Sequence, residues 1–138
     1  VAAITHILDT SAILAHYFDE PGAAEVDAIW QDKKNKTAIC ALTVPELKMR
    51  LHVEVNDRAE VNRAFKLYVD ELTTTVPVDR AVADEAAALR ESAPSRLPLV
   101  DACIAGCAKQ HRCVLVHRDS HLAQLPGSVQ QLHLPDKA

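Results

Sequence analysis

The apolar residues of this chain change period repeatedly, from short strand-like runs to helical spacing and back. Such alternation marks a parallel sheet covered by helices, because parallel strands need crossover connections and helices supply them. Ile4 to Leu8 reads as a first strand, with a short helix from about Ser11 to Phe18 and another beginning near Gly22 in the Glu20-Pro21-Gly22 turn. Thr37 to Ala41 reads as a second strand, after which Thr43 opens a helix to about Val53. Asp57 to Leu72 carries Val61, Phe65, Leu67, Tyr68 and Leu72 mostly on one face, so these two helices are expected to form an arm. Thr73 to Val76 follows as a third strand, Asp79 as the cap of an alanine-rich helix to Arg90, and Ser92 to Pro98 as a loop. A helix then runs from Pro98 to about Gln110, Cys113 to Val116 has the continuous apolar character of a buried parallel strand, and Gln130 to Leu134 supplies a last edge strand. No internal repeat or long linker divides the chain. At 138 residues it can bury roughly two-thirds of the surface its unfolded form exposes, so residues 1–138 are expected to form one α/β domain.

No apolar run approaches the ~20 residues of a membrane span, and no basic stretch leads into an apolar segment at the start. The expectation is a cytoplasmic protein with no membrane partner, although a chain that starts at Val1 rather than Met leaves a removed leader open. A net charge of -4 argues against a protein that coats nucleic acid with basic surface. It does not argue against a nucleic-acid enzyme, since acids gathered at a metal site are neutralised by the cation they hold. Cys40, Cys103, Cys107 and Cys113 contain no C-x-x-C pair, and Cys103 and Cys107 share a helix with Val100 and Ile104, so all four are read as core side chains.

Four acids fall at informative places. Asp9 directly follows the first strand, and Asp119 follows the Cys113 to Val116 strand. Glu46 lies in the first turn of the helix after the second strand, and Asp101 in the first turn of the Pro98 helix. In an open parallel sheet, strand carboxyl ends and the amino ends of the following helices lie along one edge, where ligands bind. Taken singly, each acid has an ordinary use. Asp9 and Asp119 suit helix caps, Thr43-Val44-Pro45-Glu46 fits a capping box, and Asp101 suits the positive end of its helix. Converged, they have a different meaning: two carboxylates about 5 Å apart repel by roughly 3 kcal/mol at an effective dielectric of 20, so four need protons or cations to coexist. All-oxygen donors suit Mg²⁺ or Mn²⁺, and hydrolysis of a phosphodiester by a metal-activated water is the natural chemistry.

The segments Ile7-Leu8-Asp9-Thr10-Ser11-Ala12, Thr43-Val44-Pro45-Glu46, Leu99-Val100-Asp101-Ala102-Cys103-Ile104-Ala105 and Val116-His117-Arg118-Asp119 resemble those of the PIN-domain ribonucleases, in particular the toxins of VapBC-type toxin–antitoxin pairs. The resemblance covers nearly the whole chain in order and spacing. It implies a Rossmann-like parallel sheet, Mg²⁺- or Mn²⁺-dependent endoribonuclease activity on RNA, a homodimer and a cognate antitoxin partner. The family's acidic set maps onto Asp9, Glu46, Asp101 and Asp119, and its hydroxyl beside the metal onto Ser11, whose ordinary use is at a helix start. His117 stands where related sequences often carry Thr or Ser, which bears on local hydrogen bonding.

Among seven scattered histidines, only His117, with its neighbour Arg118, is singled out for contact with substrate phosphate. With aromatic residues at 4%, an extended base-stacking platform is not expected. Ile13, Leu14, Tyr17 and Phe18 could contribute to an antitoxin surface, core packing being the more ordinary use of most. Three other classes compete. A haloacid-dehalogenase-type metal-dependent phosphatase also places an Asp after its first strand, but its second Asp is Ser11 here. A phosphoacceptor receiver domain wants an acidic pair and a Lys that the chain does not offer, and a catalytically silent PIN-fold binding module stays open.

Overall fold

The computed structural model of the chain describes residues 3–137; Val1, Ala2 and Ala138, the ends of the expected 1–138 domain, lie outside the described residues. Five strands, β1 (His6–Leu8), β2 (Thr37–Cys40), β3 (Thr74–Val76), β4 (Val114–His117) and β5 (Gln131–His133), form one sheet in the order β3-β2-β1-β4-β5. Every neighbouring pair is parallel. The helices are α1 (Thr10–Tyr17), α2 (Ala23–Gln31), α3 (Thr43–Glu54), α4 (Arg58–Phe65), α5 (Arg80–Ser92), α6 (Leu99–Gln110) and α7 (Ser120–Ala123). The expected α/β architecture is what forms. No helix among the described residues is long and apolar enough to cross a membrane.

The strands are apolar on both sides because both faces of the sheet are covered. Ile7, Ala38, Cys40 and Leu115 point to one face and pack with Val82, Ala86 and Leu89 of α5 and Ala102, Ile104 and Ala105 of α6. Leu8, Ile39 and Val116, one residue out of phase, join Ile13, Val26, Leu47, Leu51 and Val61 on the other. Burying each Leu or Ile completely stabilises the fold by about 2 kcal/mol. All four cysteines are buried and free, packed in the first of these cores. In α6, Gly106 permits close packing, for a Cβ there would sit 2.8 Å from the Val82 carbonyl oxygen of α5.

Two local differences from the sequence reading have physical causes. The helix expected over Asp57 to Leu72 begins as α4, capped by Asp57 through the Ala59 N–H at 3.0 Å, but then widens into a π-helical turn, Lys66–Glu71. Tyr68 in that turn is 3% exposed, and its hydroxyl meets His16 Nδ1 at 2.7 Å, a tertiary anchor that apolar period does not record. The short α7 was not expected either; it forms because the Asp119 side chain caps it through the His121 N–H at 2.8 Å.

Candidate metal centre

The chain builds outward from β1 to β2 and β3, then crosses back to lay β4 on the other side of β1. Strand order therefore reverses between β1 and β4, and the crevice at their carboxyl ends is where an open sheet binds ligands. Leu8 is level with Val116, and the Asp9 N–H donates to the Val116 carbonyl at 2.9 Å. Asp9 leaves β1 and Asp119 leaves β4 at this point, while α3 brings Glu46 and α6 brings Asp101. The structure thus gathers all four acids: Asp101 is repelled by Asp119, Asp9 and Glu46, and Asp9 by Glu46 and Asp119.

Asp9 is 3% exposed and caps α1, its Oδ2 accepting from the Ser11 hydroxyl at 2.6 Å and the Ser11 N–H at 3.1 Å. Burial pushes its carboxyl up to about 6, against the Ser11 hydrogen bonds and with help from Glu46 and Asp119. The Ser11 hydroxyl also accepts the Arg118 N–H at 2.9 Å, tying the ends of β1 and β4 together. Asp101 is 8% exposed, and no hydrogen bond reaches its carboxylate from the described residues; His121 Nδ1, at 3.8 Å, is its ion-pair partner. Burial, then Asp119, Asp9 and Glu46, push this carboxyl up to about 7, with His121 acting the other way.

Glu46 does not close a capping box. Leu42 already has helical backbone angles, so Thr43 falls inside the first turn, where its buried hydroxyl has no partner. Glu46 Oε1 instead accepts from the Thr10 hydroxyl. Thr10 was absent from the sequence reading, where it was only a residue between Asp9 and Ser11.

Of the two residues expected to touch substrate phosphate, the structure encloses His117 and pairs Arg118 with a neighbouring loop. His117 is wholly buried. Its Nδ1 accepts the Asp119 N–H at 3.1 Å, which leaves Nε2 to donate to Gln131 Oε1 at 2.8 Å, and its ring stacks on His133. Burial lowers its pKa, in keeping with this neutral tautomer. It orients Asp119 and cannot touch phosphate. The Arg118 guanidinium is held by Glu20 at 2.7 Å and the Pro21 carbonyl at 3.2 Å, so it serves the loop before α2. Sequence reading missed His121, whose Nδ1 lies 3.2 Å from Asp119 Oδ1; its signal was the Asp-x-His spacing across a helix cap.

The donor set fits a divalent cation. Asp101, Asp119 and His121 each offer one ligand atom, all within 4.8 Å of one another, and among the described residues no donor hydrogen-bonds the largely buried Asp101 carboxylate.

Residues 6–128 match the family model of the PIN domain. The chain belongs to the PIN domain family. No curated protein is significantly similar to it in sequence. Among solved structures, this PIN domain resembles VapBC2 from Rickettsia felis bound to a DNA fragment from its promoter, with TM-score 0.77 at 13% identity, covering 96% of this chain and 100% of that one. It also resembles VapBC-5 from Mycobacterium tuberculosis (TM-score 0.70, 24% identity, 94% and 98% covered) and Mycobacterium tuberculosis VapC20, a sarcin-ricin loop cleaving toxin (TM-score 0.67, 13% identity, 86% and 93% covered). At such identities these likenesses establish the PIN fold. Membership in this family sets aside the haloacid-dehalogenase and receiver-domain alternatives.

Proposed function

We propose that this PIN domain is a Mg²⁺- or Mn²⁺-dependent endoribonuclease, the toxin of a toxin–antitoxin pair, with Asp9, Glu46, Asp101 and Asp119 holding the cation. The observation that carries this reading is the Asp101 carboxylate, 8% exposed, with no hydrogen bond from the described residues and repelled by three other acids. A divalent ion bound there would activate water for attack on a phosphodiester and offset the charge that gathers on the phosphate. The chain's own residues prepare the site. Ser11 holds Asp9, Thr10 holds Glu46, and His117 holds the Asp119 backbone, so the acids are oriented before the substrate arrives.

Support for the toxin reading comes from fold neighbours that include VapBC2, bound to a DNA fragment from its promoter, and VapBC-5, a member of the VapBC family of toxin–antitoxin systems. It also comes from the surface. Pro45, Met49 and Val53 form a stripe at i, i+4 and i+8 on the face of α3 opposite the buried Leu47 and Leu51. Met49 is 68% exposed and Val53 81%, with Val100 of α6 beside Pro45 and Met49, more apolar surface than a helix facing only water carries. Ile13 and Leu14, which could have contributed to such a surface, take the more ordinary use: they are 0% and 4% exposed and lie in the core, with Tyr17 and Phe18 packed against it. In this reading the exposed stripe serves protein partners, the antitoxin and a second copy of the chain, in the cytoplasm.

Cleavage of total RNA with Mg²⁺, with Mn²⁺ and with chelator tests the proposal. Cleavage should require the cation and fall strongly in Asp9→Asn and Asp101→Asn, both folded as judged by circular dichroism. Undiminished cleavage in chelator would overturn it, and cation binding without any cleavage would favour a silent binding module. Co-expression with the product of the neighbouring gene should relieve toxicity; if it does not, the toxin assignment fails and the nuclease assignment stands.

A further inference from the structure

We propose that His121 supplies a nitrogen ligand to the cation of this centre and thereby makes the centre prefer Mn²⁺ to Mg²⁺. The inference rests on the metal reading above and adds to it a donor and a selectivity. Its basis is geometric. Asp119 caps α7 by accepting the His121 N–H at 2.8 Å, and this tight turn folds the imidazole back over the acids. His121 Nδ1 comes to 3.2 Å from Asp119 Oδ1 and 3.8 Å from Asp101 Oδ2.

An imidazole that merely closes the turn would account for the contact with Asp119. It would leave Asp101, 8% exposed, with no hydrogen bond from the described residues. A cation taken by all three side chains satisfies both carboxylates, each of which lies on the Nδ1 side of the ring. The imidazole that precedes Asp119 in the chain cannot be the donor. His117 is wholly buried, with Nε2 on Gln131 and Nδ1 accepting the Asp119 N–H.

The selectivity follows from donor chemistry. Mg²⁺ takes oxygen almost exclusively and gives up its waters reluctantly, whereas first-row transition ions accept imidazole nitrogen readily. Exchanging one oxygen for nitrogen therefore favours Mn²⁺, and exchanging it back should undo the preference.

The full chain can be titrated calorimetrically with Mn²⁺ and with Mg²⁺, and its Mn²⁺ complex examined by pulsed electron paramagnetic resonance for coupling to directly bound nitrogen. The wild type should show that coupling. His121→Ala should abolish it and weaken Mn²⁺ binding by about tenfold, with Mg²⁺ binding much less affected. His121→Asp, an all-oxygen centre, should also lose the coupling but shift its preference toward Mg²⁺. Because His121 is partly exposed, both variants should fold, and the wild-type spectrum is informative without them. Bound Mn²⁺ without nitrogen coupling, or equal losses for both ions in His121→Ala, overturns the proposal while leaving the acidic centre intact. Failure of the wild type to bind either ion overturns the metal reading and this inference with it.

Discussion

The Thr10 hydroxyl donates a hydrogen bond to Glu46 Oε1, so the first residue of α1 holds an acid carried by α3. The bond joins two helices that share one core, between residues 36 apart in sequence, and fixes the orientation of Glu46.

Replacing Thr10, which is 4% exposed, by Val keeps its volume but leaves Glu46 without this donor. A hydrogen bond to a charged group contributes about 1.5 kcal/mol or more, so Mn²⁺ affinity measured by calorimetry should fall roughly tenfold in Thr10→Val. Thr10→Ser should restore most of it. Wild-type affinity in Thr10→Val would mean that Glu46 is positioned by something else or does not bind the ion.

Thr43 gives the opposite expectation, because its buried hydroxyl has no partner. Thr43→Val replaces that hydroxyl with a methyl of similar size in a wholly buried position. Melting curves should show a variant at least as stable as the wild type, by up to about 1 kcal/mol. A melting temperature several degrees lower would show that the hydroxyl is bonded after all.

The acids also set a pH dependence. Asp9 and Asp101 have folded-state values raised to about 6 and about 7, so the folded protein binds protons more tightly than the unfolded chain does. Their stabilising contribution is complete below the ordinary carboxylate value and is lost as pH rises through 6 and 7. His6 and His117, lowered by burial, oppose this trend because they favour folding as they lose their protons. The comparison that isolates the acids is metal-free wild type against metal-free Asp101→Asn. Between pH 5 and 8 the variant should gain melting temperature relative to the wild type, and saturating Mn²⁺ should stabilise the wild type more at pH 8 than at pH 5. A constant difference across that range would remove Asp101 from the repelling cluster.

Gly106→Ala tests the packing of α6 on α5. The new methyl would meet the Val82 carbonyl at 2.8 Å and the Ala86 nitrogen at 3.2 Å, both backbone atoms that move only with their helix. A loss of about 1–3 kcal/mol in denaturant unfolding is expected, with cation affinity retained because the clash is with α5, which carries none of the four acids. An unchanged midpoint would mean that α5 shifts freely.

What the sequence made legible was local. An acid placed directly after a strand, or in the first turn of the next helix, must arrive at one sheet edge, so Asp9, Glu46, Asp101 and Asp119 could be placed without coordinates. What it hid depends on neighbours distant in the chain. His117 looked available beside Asp119, yet β5 adds outside β4 and the Leu134 N–H bonds the His117 carbonyl at 2.8 Å, so the residue ends up enclosed. Arg118 looked free because Glu20, its partner, lies 98 residues earlier. His121 was passed over because only a helix of four residues, too short to announce itself by period, turns its ring toward Asp101.

The reversal of strand order between β1 and β4 has a consequence for how the protein is made. Asp9 emerges long before the strand that completes its surroundings, Val114–His117. A nascent chain that stops before Val114 has β1 with one bare edge and lacks Asp119 and His121 altogether. Three of the five strands can pair by then, but the acidic crevice cannot. The centre therefore cannot assemble until Val114–His117 and Asp119 have emerged, and a nascent chain with the proposed activity has no complete cation site before that point.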